Sequence, residues 1–183
     1  MTTDTLTGKL VRLAAPNLDT DVEQSAAWEM DSEFQRLSGS EPARPAPLAS
    51  LRDWMEAWVN ESNVFAIRTL ADDRLIGFMD LDGINWASGD SWVGIGLGDR
   101  RYWGQGFGTD AMRVIIRYAF EELNLRRISL TVFEYNPRAI RCYENLGFRE
   151  EGRARERVRR AGRYWDMLYM GLLREEWQPA ETK

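Results

Sequence analysis

Apolar residues recur at intervals of three and four between Gly108 and Phe120. Gly108, Met112, Ile116 and Phe120 form one row, and Ala111, Ile115 and Ala119 form the next. That spacing predicts a buried helix over "TDAMRVIIRYAFEEL", 109–123. Shorter apolar stretches read as strands: "KLVRLAA" at 9–15, "NVFAIRTL" at 63–70, "RLIGFMDLDGI" at 74–84 and "DSWVGIGLGD" at 90–99. The second and third flank a turn at Ala71-Asp72-Asp73. "RRISLTVF" at 126–133 is apolar on both faces, the pattern of a central strand. Three more helices are expected. "LDTDVEQSAAWEM", 18–30, has Asp19 or Thr20 near its cap, and "LRDWMEAWVNE", 51–61, is capped by Ser50. The third starts on an Asn136 N-cap with Pro137 at the first helical position and stops at Gly147. "SGSEPARPAPLAS", 38–50, with three prolines, reads as a loop. "RARERVRR-AG-RYWDMLYMGLL", 153–173, reads as a closing hairpin around Ala161-Gly162, and the terminal "QPAETK" is expected to fray. No repeat or second domain boundary interrupts the order, so the expectation is one domain over 1–183, with a core of about 8–177.

The long helix is preceded by "RYWGQGFGTDA", in which Gly104, Gly106 and Gly108 occupy alternate positions. Glycine costs backbone entropy on folding but permits positive φ and close approach to the main chain. At a helix start, unpaired amides and a positive macrodipole suit a phosphate. A purely structural tight turn is the competing reading. The dinucleotide fingerprint G-x-G-x-x-G follows the first strand of a βαβ unit, whereas the spacing here is G-x-G-x-G after about five elements. The phosphate loop G-x-x-x-x-G-K-[ST] lacks both its lysine and its spacing.

Composition narrows the chemistry. The chain of 183 residues is 44% hydrophobic and has eight tryptophans, which indicates a globular protein with a sizeable core. It contains no histidine, which removes Ser-His and Cys-His catalysis and histidine metal sites. No metal is expected. Cys142 is the single cysteine, so no intrachain disulfide can form. Without a membrane-length apolar segment or a signal-like start, a cytoplasmic protein with no membrane partner is expected. The net charge of −5 argues against nucleic acid. It is uneven: carboxylates including Glu33 and Glu41 gather early, and Arg149, Arg153, Arg155, Arg157, Arg159, Arg160 and Arg163 crowd a late stretch.

Two motifs in order carry a resemblance. Arg101-x-x-Gly104-x-Gly106 matches the R/Q-x-x-G-x-G/A pattern of the GNAT N-acetyltransferase superfamily, and Asn136 to Phe148 matches its N-x-x-A-x-x-x-Y-E-x-x-G-F pattern. The chain resembles this superfamily from Leu10 to Trp177. Within it, the late arginine-rich run resembles the branch of ribosomal-protein N-terminal acetyltransferases and spermidine acetyltransferases. The resemblance implies an α/β fold with a mostly antiparallel mixed sheet, one splayed parallel strand pair and helices on both faces. It implies acetyl-CoA as co-substrate, its pantetheine arm pairing with "VGIGLG" through Ile95 and Leu97. The pyrophosphate would take the amides of Trp103, Gly104, Gln105, Gly106, Phe107, Gly108 and Thr109. Asn136 would bond the pantetheine or a water, and Arg138 or Arg141 the adenosine phosphates. A homodimer or higher homo-oligomer is also expected.

The implied reaction moves the acetyl group directly to a primary amine, a protein N-terminus or a polyamine, in a ternary complex. Backbone amides near Leu97 would stabilise the oxyanion, and Tyr143 would give the leaving thiolate a proton. Cys142 reads as a packed thiol. The chain departs from the family at the position of its glutamate base, where Trp92 stands. The base is therefore unassigned among Asp80, Asp82, Asp90, Glu33 and Glu41, and Glu33, Glu41 and Trp92 are candidates for the acceptor side. An acetyl-CoA-binding sensor that has lost catalysis is the alternative, and a nucleotide-dependent reductase is the rival enzyme class.

Overall fold

Alternate residues of a strand face opposite sides of a sheet, and one strand near the middle of this sheet shows what each side buries. The computed structural model describes residues 4–178 of the chain. Within β3 (Leu75–Asn85), Phe78 packs with Trp28, Leu51, Met55 and Val64, while Met79 and Leu81 join a second cluster with Ala111, Met112, Ile115 and Phe120. The two clusters lie on opposite faces, and each is covered by helices. On the Phe78 side are α1 (Leu18–Glu29), α2 (Ser32–Ser38) and α3 (Leu48–Glu61); on the other are α4 (Phe107–Arg117) and α5 (Pro137–Asn145).

The sheet has seven strands, completed by β1 (Val11–Ala14), β2 (Asn63–Thr69), β4 (Asp90–Leu97), β5 (Arg127–Phe133), β6 (Arg149–Arg160) and β7 (Arg163–Leu173). They lie in the order β1-β2-β3-β4-β5-β7-β6. Every neighbouring pair is antiparallel except β4–β5. The mixed α/β architecture implied by the sequence is the one observed, with β5 in the sheet interior. In the closing hairpin, Ala161 and Gly162 both have positive φ, 50° and 76°, as a two-residue turn matched to strand twist requires.

Several local details differ from the sequence reading. The cap of α1 is Asn17, whose side chain accepts from the Asp19 amide, two residues ahead of Asp19 and three ahead of Thr20. Ser50 does not cap α3. That helix begins three residues before Leu51 behind Pro47, which makes no side-chain cap bond, and Ser50 lies inside it. The hairpin begins at Arg149, four residues earlier than expected. The helix α2 is an addition, started by Asp31 accepting from the Glu33 and Phe34 amides. Of the terminal segment expected to fray, Pro179–Lys183 lies outside the described residues.

Candidate active site

β4 and β5 pair over three positions only: Asp90 with Arg127, Ser91 with Ile128, and Trp92 with Ser129. Beyond Trp92 the strands part, while β4 continues to pair with β3 as far as Leu97 opposite Gly77. Antiparallel pairing alternates the direction of main-chain groups. Gly98 donates to Ile76 O at 3.0 Å, so Gly96 and Gly94 also address β3, and Ile95 and Leu97 address the gap. The Leu97 carbonyl is taken by Trp103 Nε1 at 2.7 Å, which leaves the Ile95 groups and the Leu97 amide directed at the opening. A cleft of about 1020 Å³ fills this region.

The glycine segment forms one wall. Gly104 and Gly106 have φ of 70° and 89°, a conformation that L side chains seldom adopt. Gly106 is the N-cap of α4 and offers no side chain, so the first amides of the helix have no side-chain acceptor. Trp103, Gly104, Gly106, Gly108 and Thr109 line the cleft. Gln105 and Phe107 are not among its lining residues: Gln105 Nε2 donates back to Arg101 O, and Phe107 packs edge-on against Tyr102 with ring centres 4.8 Å apart. Arg138 stacks over the Trp103 ring at 4.1 Å. This wall fits a coenzyme A phosphate: amides without caps, backbone without side chains and a guanidinium nearby.

α5 forms the facing wall. Asn136 Oδ1 accepts from the Ala139 amide at 3.2 Å, so the cap uses the oxygen and leaves the side-chain NH2 for the cleft. Arg141 and Tyr143 also line it. The Tyr143 ring is buried at 8% exposure, and burial holds its phenol well above the usual tyrosine range. Its hydroxyl has no hydrogen-bond partner among the described residues, so its proton is kept and its donor is uncommitted. Cys142 Sγ lies 3.1 Å from Thr109 Oγ1, and burial pushes the thiol up, which makes it a packing group rather than a nucleophile.

The opposite end of the cleft is aromatic and acidic. Trp28, Phe34, Trp54, Trp58, Phe78 and Trp92 line it. Asp80 stands opposite Gly94, and a Cβ on that glycine would lie 2.4 Å from Asp80 Oδ1, so the missing side chain makes room for the carboxylate. Trp58 Nε1 donates to Asp80 Oδ2 at 3.2 Å. Burial raises the Asp80 pKa against that bond, and the Asp82 charge adds to the rise. Glu29, also raised by burial, and Glu41 line the same end. None of Glu29, Glu41, Asp80 and Asp82 forms an ion pair among the described residues.

The sequence candidates therefore divide. Asp80, Asp82, Glu41 and Trp92 meet at the cleft. Asp90 lies at the paired start of β4 beside Arg127, and Glu33 is held by Arg100 at 2.7 Å; neither lines the cleft. Trp58 and Glu29 were not among the sequence candidates. Both sit on helices where nothing in the spacing separates a cleft-facing residue from a surface one. Among the described residues no cluster suited to a metal is present, and no helix is long and apolar enough to cross a membrane.

The family described as "Acetyltransferase (GNAT) domain" matches residues 11–149. The chain belongs to the GNAT acetyltransferase family. YdaF of Bacillus subtilis (strain 168), whose name provisionally assigns it to ribosomal N-acetylation, is 31% identical over 126 residues, 69% of this chain and 68% of that protein. Spermidine N(1)-acetyltransferase of Vibrio cholerae serotype O1 is 34% identical over 107 residues, 58% and 61% of the two chains. A crystal structure of spermidine N-acetyltransferase from Vibrio cholerae in complex with CoA and spermine superposes with a TM-score of 0.79 at 26% identity, covering 91% of this chain and 96% of that one. This GNAT protein is thus an acetyl-CoA-dependent N-acetyltransferase, and both branches suggested by its motifs are represented among its relatives.

Proposed function

We propose that this GNAT protein passes an acetyl group from acetyl-CoA to a primary amine by direct attack, with Asp80 as the base and Tyr143 as the proton donor. The observation that carries the proposal is the parting of β4 from β5 after Trp92, which leaves the Ile95 main-chain groups and the Leu97 amide unpaired between the glycine wall and Asp80. Acetyl-CoA supplies the thioester; the residues supply the rest. The Ile95 groups hold an extended amide chain as a neighbouring strand would, and the α4 amides with Arg138 hold phosphate. The Leu97 N–H aims at the oxygen on which negative charge develops.

Asp80 takes the ammonium proton, directly or through one water, and its raised pKa makes it a better base than a solvated aspartate. This answers the absence of the family glutamate: the carboxylate comes from the neighbouring strand β3, with Trp92 contributing an aromatic wall. As the C–S bond breaks, the Tyr143 hydroxyl passes its proton to sulfur, whose thiol has an ordinary pKa of about 8.5, and recovers one from the nitrogen of the intermediate, which must shed a second proton to become the amide; that return restores a phenol held above its usual range by burial. The edge strand β6, exposed along most of its length, supports a homodimer as part of the same reading.

Acetyl-CoA consumption across a panel of amines tests the proposal, alongside Tyr143→Phe. We expect turnover with at least one primary amine, and a loss of about a hundredfold in kcat for Tyr143→Phe with acetyl-CoA affinity unchanged. Tight acetyl-CoA binding without turnover on any amine would instead support the sensor reading.

A further inference from the structure

The cleft's acceptor end is acidic inside and basic at its rim. Arg160 donates to the carbonyls of Gly39 at 3.0 Å and Glu41 at 2.8 Å, so the tip of the β6–β7 hairpin sits on the loop that lines the cleft. Tyr135 reinforces this joint by donating to Arg36 O at 2.6 Å and packing edge-on against Trp165 of the hairpin. At this junction Arg44 lines the cleft, Arg36 adjoins Tyr135, and Arg163 stacks over Trp165 at 4.5 Å; all three are exposed and form no ion pair among the described residues. Arg159, the neighbour of Arg160 on β6, faces the other side of the sheet beside Tyr164. Further down the hairpin the pattern differs: Arg153 is shared among Glu150 at 2.7 Å, Glu134 at 3.4 Å and Asp166 at 3.5 Å. Unpaired cations are thus gathered beside the opening of a chain whose net charge is −5.

A small polyamine suits the carboxylates inside but meets repulsion at this rim. A peptide fits both. Its terminal ammonium enters toward Asp80, while the residues behind it, spaced roughly 3.3 Å apart when extended, leave past the arginines within a few positions. Carboxylates on those residues would meet Arg163, Arg36 and Arg44 in charge-assisted contacts. We propose that the acceptor is the N-terminal amine of a polypeptide whose next several residues are acidic. The inference rests on the transfer reading above and names its substrate class.

The test compares peptides identical except at positions three to five, carrying Glu, Ala or Lys, with spermidine as the small-amine control. For the wild-type protein we expect kcat/KM for the Glu peptide to exceed the Ala peptide about tenfold at low salt, with the gap shrinking as salt rises. In Arg44→Glu/Arg163→Glu and in the milder Arg44→Ala/Arg163→Ala, the preference should collapse through the peptide KM. The KM for acetyl-CoA and the melting temperature should not move. Equal use of the three peptides, a preference that survives both variants, or spermidine turned over in place of all peptides would overturn this inference and leave the transfer reading standing. No acetyl-CoA consumption with any amine would overturn both.

Discussion

At Gly94 a missing side chain decides the chemistry of its neighbour, because the Asp80 carboxylate occupies the space a Cβ would need. The buried position raises the Asp80 pKa, and the Trp58 bond only partly offsets the rise. A base with a raised pKa loses activity as pH falls through that value, so kcat/KM should climb with pH on an acid limb belonging to Asp80. Asp80→Asn keeps the volume and an acceptor for Trp58. We expect kcat to fall by about 10²-fold or more, with the limb abolished and acetyl-CoA binding retained. The linkage runs the other way for stability. The folded state binds the Asp80 proton more tightly than the unfolded state, whose pKa is near 3.9, so stability is greatest below that value and declines as pH rises toward the folded pKa. At neutral pH the variant should therefore melt at or above the wild-type temperature. A kcat near wild type, or an acid limb that persists, would remove Asp80 from the mechanism. Three neighbouring aspartates were visible in the sequence, but their alternation on bulged strands and the space at Gly94 were not. Only the register β3 keeps with β4 separates Asp80 from Asp82 and Asp90.

The elements that frame the cleft are held by a buried carboxylate outside it. Asp110, 4% exposed in the first turns of α4, accepts the amides of Lys9 at 3.2 Å, Leu10 at 2.7 Å and Val11 at 3.1 Å. It therefore anchors the entry to β1 against the helix that carries the glycine wall, and its charge also suits the positive end of the helix dipole. A Cβ at Gly8 would lie 2.3 Å from Asp110 Oδ2. Asp110→Ala strands three main-chain donors, with unmet buried groups costing about 1–3 kcal/mol each. We expect a loss of about 3 kcal/mol or more, read as a fall of roughly 6–12 °C in melting temperature. A shift under 2 °C would mean that water replaces the carboxylate. The helix was plain from its apolar rows, whereas Asp110 falls outside both rows and nothing in the spacing marked it as buried. The signals for α2 were also present, in the Asp31 cap and Gly39 stop, but seven residues with apolar Phe34 and Leu37 carry too little periodicity to separate a short helix from loop.

For the molecule as a whole, the parted strands are a gap in the sheet between the β1–β4 half and the β5–β7 half. The halves share three β4–β5 pairings and the core around α4. The resemblance carried by the two sequence motifs implied such a gap; its starting point after Trp92 depends on long-range pairing that no local pattern encodes. A ligand that extends along Ile95 and rests on the α4 amides touches both halves, so binding should stabilise the whole domain rather than a loop. At a hundred times its dissociation constant, a ligand specific to the folded state contributes about 2.7 kcal/mol. For a domain of this size that is roughly 5–11 °C. We expect a cooperative rise of that order for the wild-type protein with coenzyme A, in one transition. Gly106→Val should abolish it, because φ of 89° is strained for a β-branched residue and the side chain would crowd the first amides of α4. The strain, about 1–3 kcal/mol, should lower the melting temperature of the free variant while leaving a single transition. Calorimetry with and without coenzyme A separates the two effects. A variant that melts lower but keeps the full ligand shift would show that Gly106 serves the turn alone and that phosphate is held elsewhere.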